Sequence, residues 1–349
     1  MTSLKRDINM CGICGIINFS TIPVQKLSLE TMMKRMKHRG PDDEGIFIDK
    51  NLGLGFVRLS IIDLSENGHQ PMIDDSERYV IVHNGEVYNY NELKSELVKK
   101  GYRFKSNTDS EVILNSYIEW GPACQEKFNG MWAFTIYDKK TNEIFVSRDR
   151  YGIKPFYYFL NKDKFIFTSE IPPILKILKK KPDPNLQAVF DYMAFNRTDQ
   201  NEDTFFSGIK KLEPGCSISI KDNKLKIHEW YDLRSNIKEP FANALDFREV
   251  FKSAVGLRLQ SDVPLGVCLS GGLDSSSITS TLLKDFSLSD LKTFSAIYEK
   301  NQNCDESEYI YEYKDVLKNM HFTTPSAETL INDLSDFLKA HGEPTPSAA

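Results

Sequence analysis

Two short stretches of the chain hold residue types that could do chemistry. The first is Met10-Cys11-Gly12-Ile13-Cys14-Gly15. A cysteine at the very start of a chain is its own catalytic unit, because the neighbouring α-amine titrates near pH 8 (about 7.7–8.0) and can take the proton of the thiol. Translation from Met10, followed by removal of that methionine, would expose Cys11 in this way. The second stretch is Leu269-Ser270-Gly271-Gly272-Leu273-Asp274-Ser275-Ser276. Glycines directly after a strand let the backbone approach a phosphate, and the N–H groups of the next helix terminus then face the anion. Ser270, Ser275 and Ser276 add hydroxyl donors. The stretch has no lysine, so it is not the loop that grips a β/γ-phosphate. It suits a nucleotide cleaved between its α- and β-phosphates, with Mg²⁺ carrying the pyrophosphate charge and Asp274 as a ligand or support for that ion. Each stretch alone also has a plainer reading, as a buried strand cysteine and as a glycine turn with a serine N-cap.

These residues need elements to position them. From about residue 11 to 200 the pattern is strand-rich, with β-branched and aromatic runs at 13–19, 55–59, 79–83, 132–137, 144–147, 156–159 and 165–168. Helices are predicted over 93–100, after Asn89 and Asn91, and over 110–120, after Thr108 and Asp109. Val112, Ile113, Tyr117 and Ile118 fall at helical spacing in the second. The expected fold is α+β, with stacked antiparallel sheets covered by helices. Cys11 and Cys14 then lie at a strand, whereas a thioredoxin-type pair sits at a helix start. No second C-x-x-C and no H-x-x-x-H accompanies them, so neither zinc nor any other resident metal is expected. The segment 201–240 reads as a connector, with a turn at 212–215 and a hairpin of 216–220 with 224–230 around Asp222-Asn223. Beyond Pro240 the order is helix 247–259, apolar strand 263–269, glycine turn, helix 275–284 and strand 293–298. That is a βαβ unit, so 241–349 should form a partial α/β domain on a parallel sheet.

With 349 residues the chain is long enough for two domains. Its 40% hydrophobic and 27% charged residues exclude disorder, collagen and coiled coil as the main class. No apolar run reaches the length of a membrane span, and no membrane partner is expected. The net charge of −5 and the lack of a long basic run argue against nucleic acid. Six scattered cysteines are too few for a disulfide framework and point to a reducing, cytoplasmic setting.

The company of Cys11 decides between its two readings. His38-Arg39-Gly40-Pro41-Asp42, Arg58-Leu59-Ser60-Ile61, Asn84-Gly85-Glu86-Val87-Tyr88-Asn89, Asp109, the run from Arg148-Asp149-Arg150 to Lys154-Pro155, and Ser169-Glu170 follow in order. Together these resemble the class II glutamine amidotransferases, a fold of the N-terminal-nucleophile type. The Ser270 stretch resembles the pyrophosphatase-loop (PP-loop) ATP site. The whole, over residues 10–349, resembles a glutamine-hydrolysing asparagine synthetase. By that resemblance 11–200 is the glutaminase domain and 241–349 part of the ATP-binding synthetase domain. Cys11 matches the nucleophile, and Asn84 and Gly85 match the oxyanion hole. Arg58, with Asn84, Glu86 and Asp109, matches the glutamine-binding set. Leu269, Ser270, Gly271, Gly272, Asp274, Ser275, Ser276 and Ala296 match the ATP site. The implied cofactors are ATP and Mg²⁺, the implied substrates glutamine and aspartate, and a homodimer is compatible with the family. The implied reaction is that of a ligase making asparagine, glutamate, AMP and pyrophosphate.

Two departures from the family pattern stand out. Residues 1–10 precede the expected start and read as an extension or a misassigned start codon. The chain also ends soon after His341-Gly342-Glu343-Pro344, whereas the family's synthetase domain runs on, so a C-terminally truncated chain is expected. The alternatives are a relative that amidates another carboxylate in surface-polysaccharide or secondary-metabolite synthesis, and a remnant with glutaminase activity only or a non-catalytic binding role.

Overall fold

The computed structural model describes residues 10–298 and 305–345; of the segment 1–10 expected above as an extension or misassigned start, residues 1–9 lie outside the described residues. The chain divides into two compact units, Met1–Ile237 with Leu338–Ala349, and Lys238–Phe337.

In chain order the strands of the first unit are β1 (Gly12–Asn18), β2 (Asp43–Asp49), β3 (Leu52–Arg58), β4 (Met72–Ile73), β5 (Tyr79–Val87), β6 (Gly130–Asp138), β7 (Glu143–Arg148), β8 (Tyr157–Leu160), β9 (Lys164–Thr168), β10 (Ile209–Lys211), β11 (Cys216–Lys221) and β12 (Lys224–Glu229). Its helices are α1 (Lys26–Arg35), α2 (Tyr90–Lys99), α3 (Asp109–Trp120), α4 (Cys124–Lys127), α5 (Ile171–Ile177) and α6 (Leu186–Phe195). One sheet has the order β10-β8-β9-β1-β3-β2 and the other β12-β11-β7-β6-β5-β4. All of their pairings are antiparallel among the described residues.

Burial explains the stacking. Along β1, Ile13 and Ile17 enter a core shared with Val80, Val82 and Val146 of the other sheet. Cys14 and Ile16, one position out of step, enter a second core with Leu29, Met32 and Met33 of α1. A strand alternates its faces, so a strand covered on both sides reads as a nearly continuous apolar run. A third core joins the outer face of the second sheet, through Ile81, Phe134 and Phe145, to Leu93, Leu97, Val112 and Ile113 of α2 and α3. The result is helix, sheet, sheet, helix, in agreement with the expected class. Cys11 packs at the inter-sheet core and Cys14 at the α1 side. Their spacing of three places them on opposite faces, so the C-x-x-C is no dithiol pair.

Some elements escape the sequence pattern. Helix α1 buries Leu29, Met32 and Met33 at helical spacing, yet its methionines and polar neighbours gave no prediction. The segment 201–240, expected as a connector, supplies three strands to the two sheets. Within it Ile218 pairs with Val146, and Cys216, Ile218 and Ile220 fill the inter-sheet core, which is why the segment cannot be a free linker. Its hairpin turns at Asp222 and Asn223, both left-handed, as the residue types foretold.

The second unit contains α7 (Ala244–Leu257), β13 (Gly266–Cys268), α8 (Leu273–Lys284), β14 (Lys292–Ala296), α9 (Ser307–Tyr311), β15 (Asn319–Thr323) and most of α10 (Ala327–His341). The strands form a parallel sheet in the order β13-β14-β15. Val255, Leu269, Leu282, Leu291, Ile310 and Leu317 make its core. The strand expected over 263–269 shrinks to the three residues of β13. It pairs with β14 on one side only, and Gly266 and Cys268 are exposed. Helix α7 begins at Ala244, three residues early, because Asn243 caps it by accepting from the N–H groups of Leu245 and Asp246.

Candidate functional site

Four elements of the first unit deliver side chains to one narrow cleft. Its lining includes Cys11 at the entrance to β1, Arg58 at the end of β3, Gly85 and Glu86 in β5, and Asp109 at the start of α3. The Cys11 thiol donates to the Leu59 carbonyl at 3.5 Å and accepts from the Leu59 N–H at 3.4 Å. Arg39 Nε holds the Cys11 carbonyl at 3.0 Å, and the Arg39 guanidinium is braced by Glu170 Oε1 at 2.8 Å, an oxygen that also lies 3.0 Å from His38 Nε2. Burial pushes the Cys11 thiol above its ordinary value; the Leu59 N–H and the charges of Lys154 and Arg58 oppose that shift. The resting sulfur is therefore a protonated thiol that needs a base. Cys14, wholly buried, is pushed up to about 12 and is inert.

Arg58 is buried, and its guanidinium donates to the carbonyls of Ser65 at 2.9 Å, Ile62 at 3.5 Å and Asp63. These bonds fix the fork while leaving its charge uncompensated by a partner of full charge at those contacts. A Cβ at Gly68 would press on Nη2 and displace the end of this side chain. Asn84 and Gly85 pair with Ala133 and Trp132 of β6. Asn84 is 1% exposed and its Nδ2 has no hydrogen-bond partner among the described residues, a donor left over inside the protein. It does not itself line the cleft, whereas the adjacent Gly85 does. A Cβ at Gly85 would meet the Met131 carbonyl and lie 2.6 Å from the Trp132 Cα, so only glycine fits. Thr108 caps α3 by accepting from the Glu111 N–H. Asp109 follows it, with Oδ2 accepting from the Val87 N–H at 2.8 Å. Burial raises this carboxyl to about 7 against that hydrogen bond, and the charge of Glu86 adds to the rise.

Sequence reasoning left His83 and Lys154 without roles. His83 Nδ1 lies 3.0 Å from Ser110 Oγ, and burial, with the positive charge of Lys154, drops the imidazole to about 3, so it is neutral. No motif spacing marks it. Lys154 is buried beside Met10 and belongs to the run Arg148–Pro155 quoted above; that run was its only signal.

In the second unit Ser270–Ser276 joins β13 to α8. Gly271 is left-handed at φ +94°, and a Cβ there would lie 2.7 Å from the Glu306 carbonyl. Gly272 is the N-cap of α8 and offers no side chain to close the helix end. The serine hydroxyls satisfy one another meanwhile. Ser270 Oγ lies 3.0 Å from Ser275 Oγ, and the hydroxyl of Ser276 reaches the Gly271 carbonyl at 3.4 Å. Leu269 is fully buried and pinned by the Phe294 carbonyl and the Ser295 hydroxyl, while Ala296 ends β14 and is exposed. An open helix terminus with a glycine cradle fits a phosphate group. Asp274 brings a single carboxylate, and no cluster of three or more metal-ligating side chains occurs among the described residues. No described helix is long and apolar enough to cross a membrane.

Residues 10–231 match the glutamine amidotransferase domain family and residues 246–349 the asparagine synthase family. The chain is 41% identical over 336 residues to "Putative asparagine synthetase [glutamine-hydrolyzing] 2" of Methanocaldococcus jannaschii, covering 89% of this chain and 64% of that protein. It is 37% identical to asparagine synthetase [glutamine-hydrolyzing] 1 of Bacillus subtilis, covering 83% of this chain and 46% of the relative. It is also 32% identical to amidase chry2 of Gibberella zeae, over 93% of this chain and 53% of that protein. The chain thus spans roughly half to two thirds of the length of these relatives.

Proposed function

The chain belongs to the glutamine amidotransferase family, in the two-domain arrangement of the glutamine-hydrolysing asparagine synthetases, and from that premise we propose that it hydrolyses glutamine at Cys11 and passes ammonia to an ATP-activated aspartate. The carrying observation is the convergence of Cys11, Arg58, Gly85, Glu86 and Asp109 in one cleft from four separate elements. The Arg58 fork takes the glutamine α-carboxylate, and Glu86 and Asp109 take the α-ammonium. The α-amine of a chain beginning at Cys11 accepts the thiol proton, as the raised thiol requires. Sulfur adds to the side-chain amide carbon, and the oxyanion is held by the leftover Asn84 Nδ2 donor and the Gly85 N–H. The tetrahedral adduct collapses by expelling the amide nitrogen, which leaves as ammonia with the proton held by the amine. Water then cleaves the γ-glutamyl thioester, giving glutamate and the free thiol.

At the second site the Ser270–Ser276 loop holds the pyrophosphate portion of ATP through backbone N–H groups and serine hydroxyls, and Leu269 and Ala296 flank the nucleotide. Mg²⁺ bound with the nucleotide would neutralise phosphate charge, with Asp274 nearby in sequence as its carboxylate. Aspartate is the favoured acceptor. The relative named an amidase supports a second reading in which another carboxylate is amidated. A reducing cytoplasm suits free thiols such as these.

Glutamate release, measured with and without ATP and aspartate, tests the proposal. Cys11→Ala should abolish glutamine-dependent activity, while Cys14→Ala, on the opposite face of β1, keeps most of it. Glutamine hydrolysis by the Cys11 variant would end the thioester mechanism. Intact mass of the active protein should place Cys11 at its N-terminus.

A further inference from the structure

The loop from Arg148 to Lys154 is built with more hydrogen bonds than a connector between β7 and β8 needs. The buried Asp149 carboxylate accepts from four backbone N–H groups, those of Trp132 (3.1 Å), Tyr151 (3.1 Å), Ile153 (3.0 Å) and Lys154 (3.0 Å). Arg148 closes the same loop from the other side. Its guanidinium donates to the carbonyls of Lys154 at 2.8 Å, Gly152 at 2.7 Å and Leu212. Gly152 is left-handed, and a Cβ on it would press within 3.0 Å of the Arg148 guanidinium carbon.

The side chain this loop projects inward is Lys154, only 7% exposed. Its ammonium has one hydrogen-bond contact among the described residues, the sulfur of Met10 at 3.8 Å. No described carboxylate stands in ion-pair contact with it. Desolvation works against the charge of this buried ammonium, and the nearby Glu86, Cys11 and Asp149 are what favour it. Met10 is the residue removed when Cys11 becomes the N-terminus, and the ammonium lies near enough to Cys11 for its charge to act on the thiol. The charged and titratable groups facing this point are Cys11 and Arg39 from the first sheet and its flank, His83 and Glu86 from β5, Asp149 from the loop, and, around the thiol, Arg58 and Asp109.

Resting on the reading of Cys11 as an N-terminal nucleophile, we propose that Lys154 is a positioning residue of glutamine hydrolysis, whose buried ammonium keeps the Cys11 α-amine unprotonated and favours negative charge on the sulfur. A like charge disfavours protonation of the amine, and an opposite charge favours the thiolate. Both effects ease the same proton transfer, from sulfur to the amine. The rigid loop supplies the charge at a fixed place, so no reorganisation is needed when the thiol ionises.

The test is the pH dependence of glutamate release and of Cys11 alkylation by iodoacetamide. Alkylation is read at the Cys11 peptide, because Cys268 is exposed and reacts as well. Lys154→Met and Lys154→Gln remove the charge with little change of reach, and Lys154→Arg retains it. For the neutral variants the acid limb of kcat/KM and of alkylation should move up by about one pH unit. Activity at neutral pH should fall about tenfold, carried by kcat rather than KM, and Lys154→Arg should recover most of it. Unshifted profiles in a folded neutral variant would overturn the proposal while leaving Cys11 as nucleophile. Failure of both neutral variants to fold, with Lys154→Arg folded, would assign a structural role instead and equally overturn it. If the unmodified chain releases no glutamate, the nucleophile reading fails, and the alkylation profiles still decide whether Lys154 tunes the sulfur.

Discussion

The cleft around Cys11 and the loop at Ser270 handle polar groups in opposite ways. In the first unit the groups are buried and locked, with Arg58 caged by three carbonyls and Asp109 tied to the Val87 N–H. One buried donor next to the cleft residue Gly85, Asn84 Nδ2, is left unpaired among the described residues. In the second unit the loop is partly exposed, and its hydroxyls hold one another and the loop's own carbonyls. The difference teaches where each site stores its organisation. The first holds it in the packing of two sheets, before any ligand arrives. The second holds it in the backbone of one turn, and the hydroxyls must exchange their mutual bonds for those of a ligand. Burial makes the first site sensitive to single atoms and to pH, whereas the second depends mostly on conformation.

Asn84→Ala should break the first half of this comparison most severely. Loss of the unpaired donor should cut kcat for glutamate release by about 10²–10³, with KM much less affected. An effect below threefold would show that the leftover Nδ2 is not aimed at the oxyanion.

Proton binding at Asp109 gives the next largest effect. Burial pushes its carboxyl up to about 7, and only the ionised form attracts an α-ammonium. As pH falls below 7 the protonated fraction grows, so KM for glutamine should rise, by about tenfold per pH unit at the limit. Asp109→Asn should give a high KM with that dependence removed. A flat KM between pH 5.5 and 8 in the unmodified chain would contradict the assignment.

Gly271→Ala sharpens the other half. The left-handed conformation and the Glu306 carbonyl at 2.7 Å make the substitution cost about 1–3 kcal/mol locally. ATP-dependent turnover or nucleotide binding should weaken by about tenfold or more, while ATP-independent glutamate release continues. Equal loss of both activities would mean that the two sites are not organised separately.

The smallest effect is one of local stability. The second unit's sheet has three strands, among the described residues, over a modest core, while β5 and β6 pair along their whole length inside the first unit. Amides of β14 should therefore exchange with solvent before those of β5 and β6. The reverse order by hydrogen exchange would contradict this reading of the two cores.

Much of this was legible in the sequence, for identifiable reasons. Short β-branched and aromatic runs foretold β5, β6, β7 and β9, because strands packed on both faces have no polar alternative. Asp222 and Asn223 announced the hairpin between β11 and β12, since both residue types tolerate the left-handed region. The glycines at 271 and 272 announced the turn before α8 by the same local logic. What escaped was everything set by distant partners. Helix α1 owes its place to small residues opposite it, where a Cβ at Gly55 would lie 2.9 Å from Met33 Sδ. The membership of 209–229 in two sheets depends on strands fifty or more residues away. The raised Asp109, the orphaned Asn84 amide and the ammonium of Lys154 beside Met10 likewise exist only once β1, β3, β5 and the Arg148 loop are brought together. Local chemistry is written in neighbouring residues. Desolvation and convergence are properties of the packed interior, and the tertiary structure alone decides them.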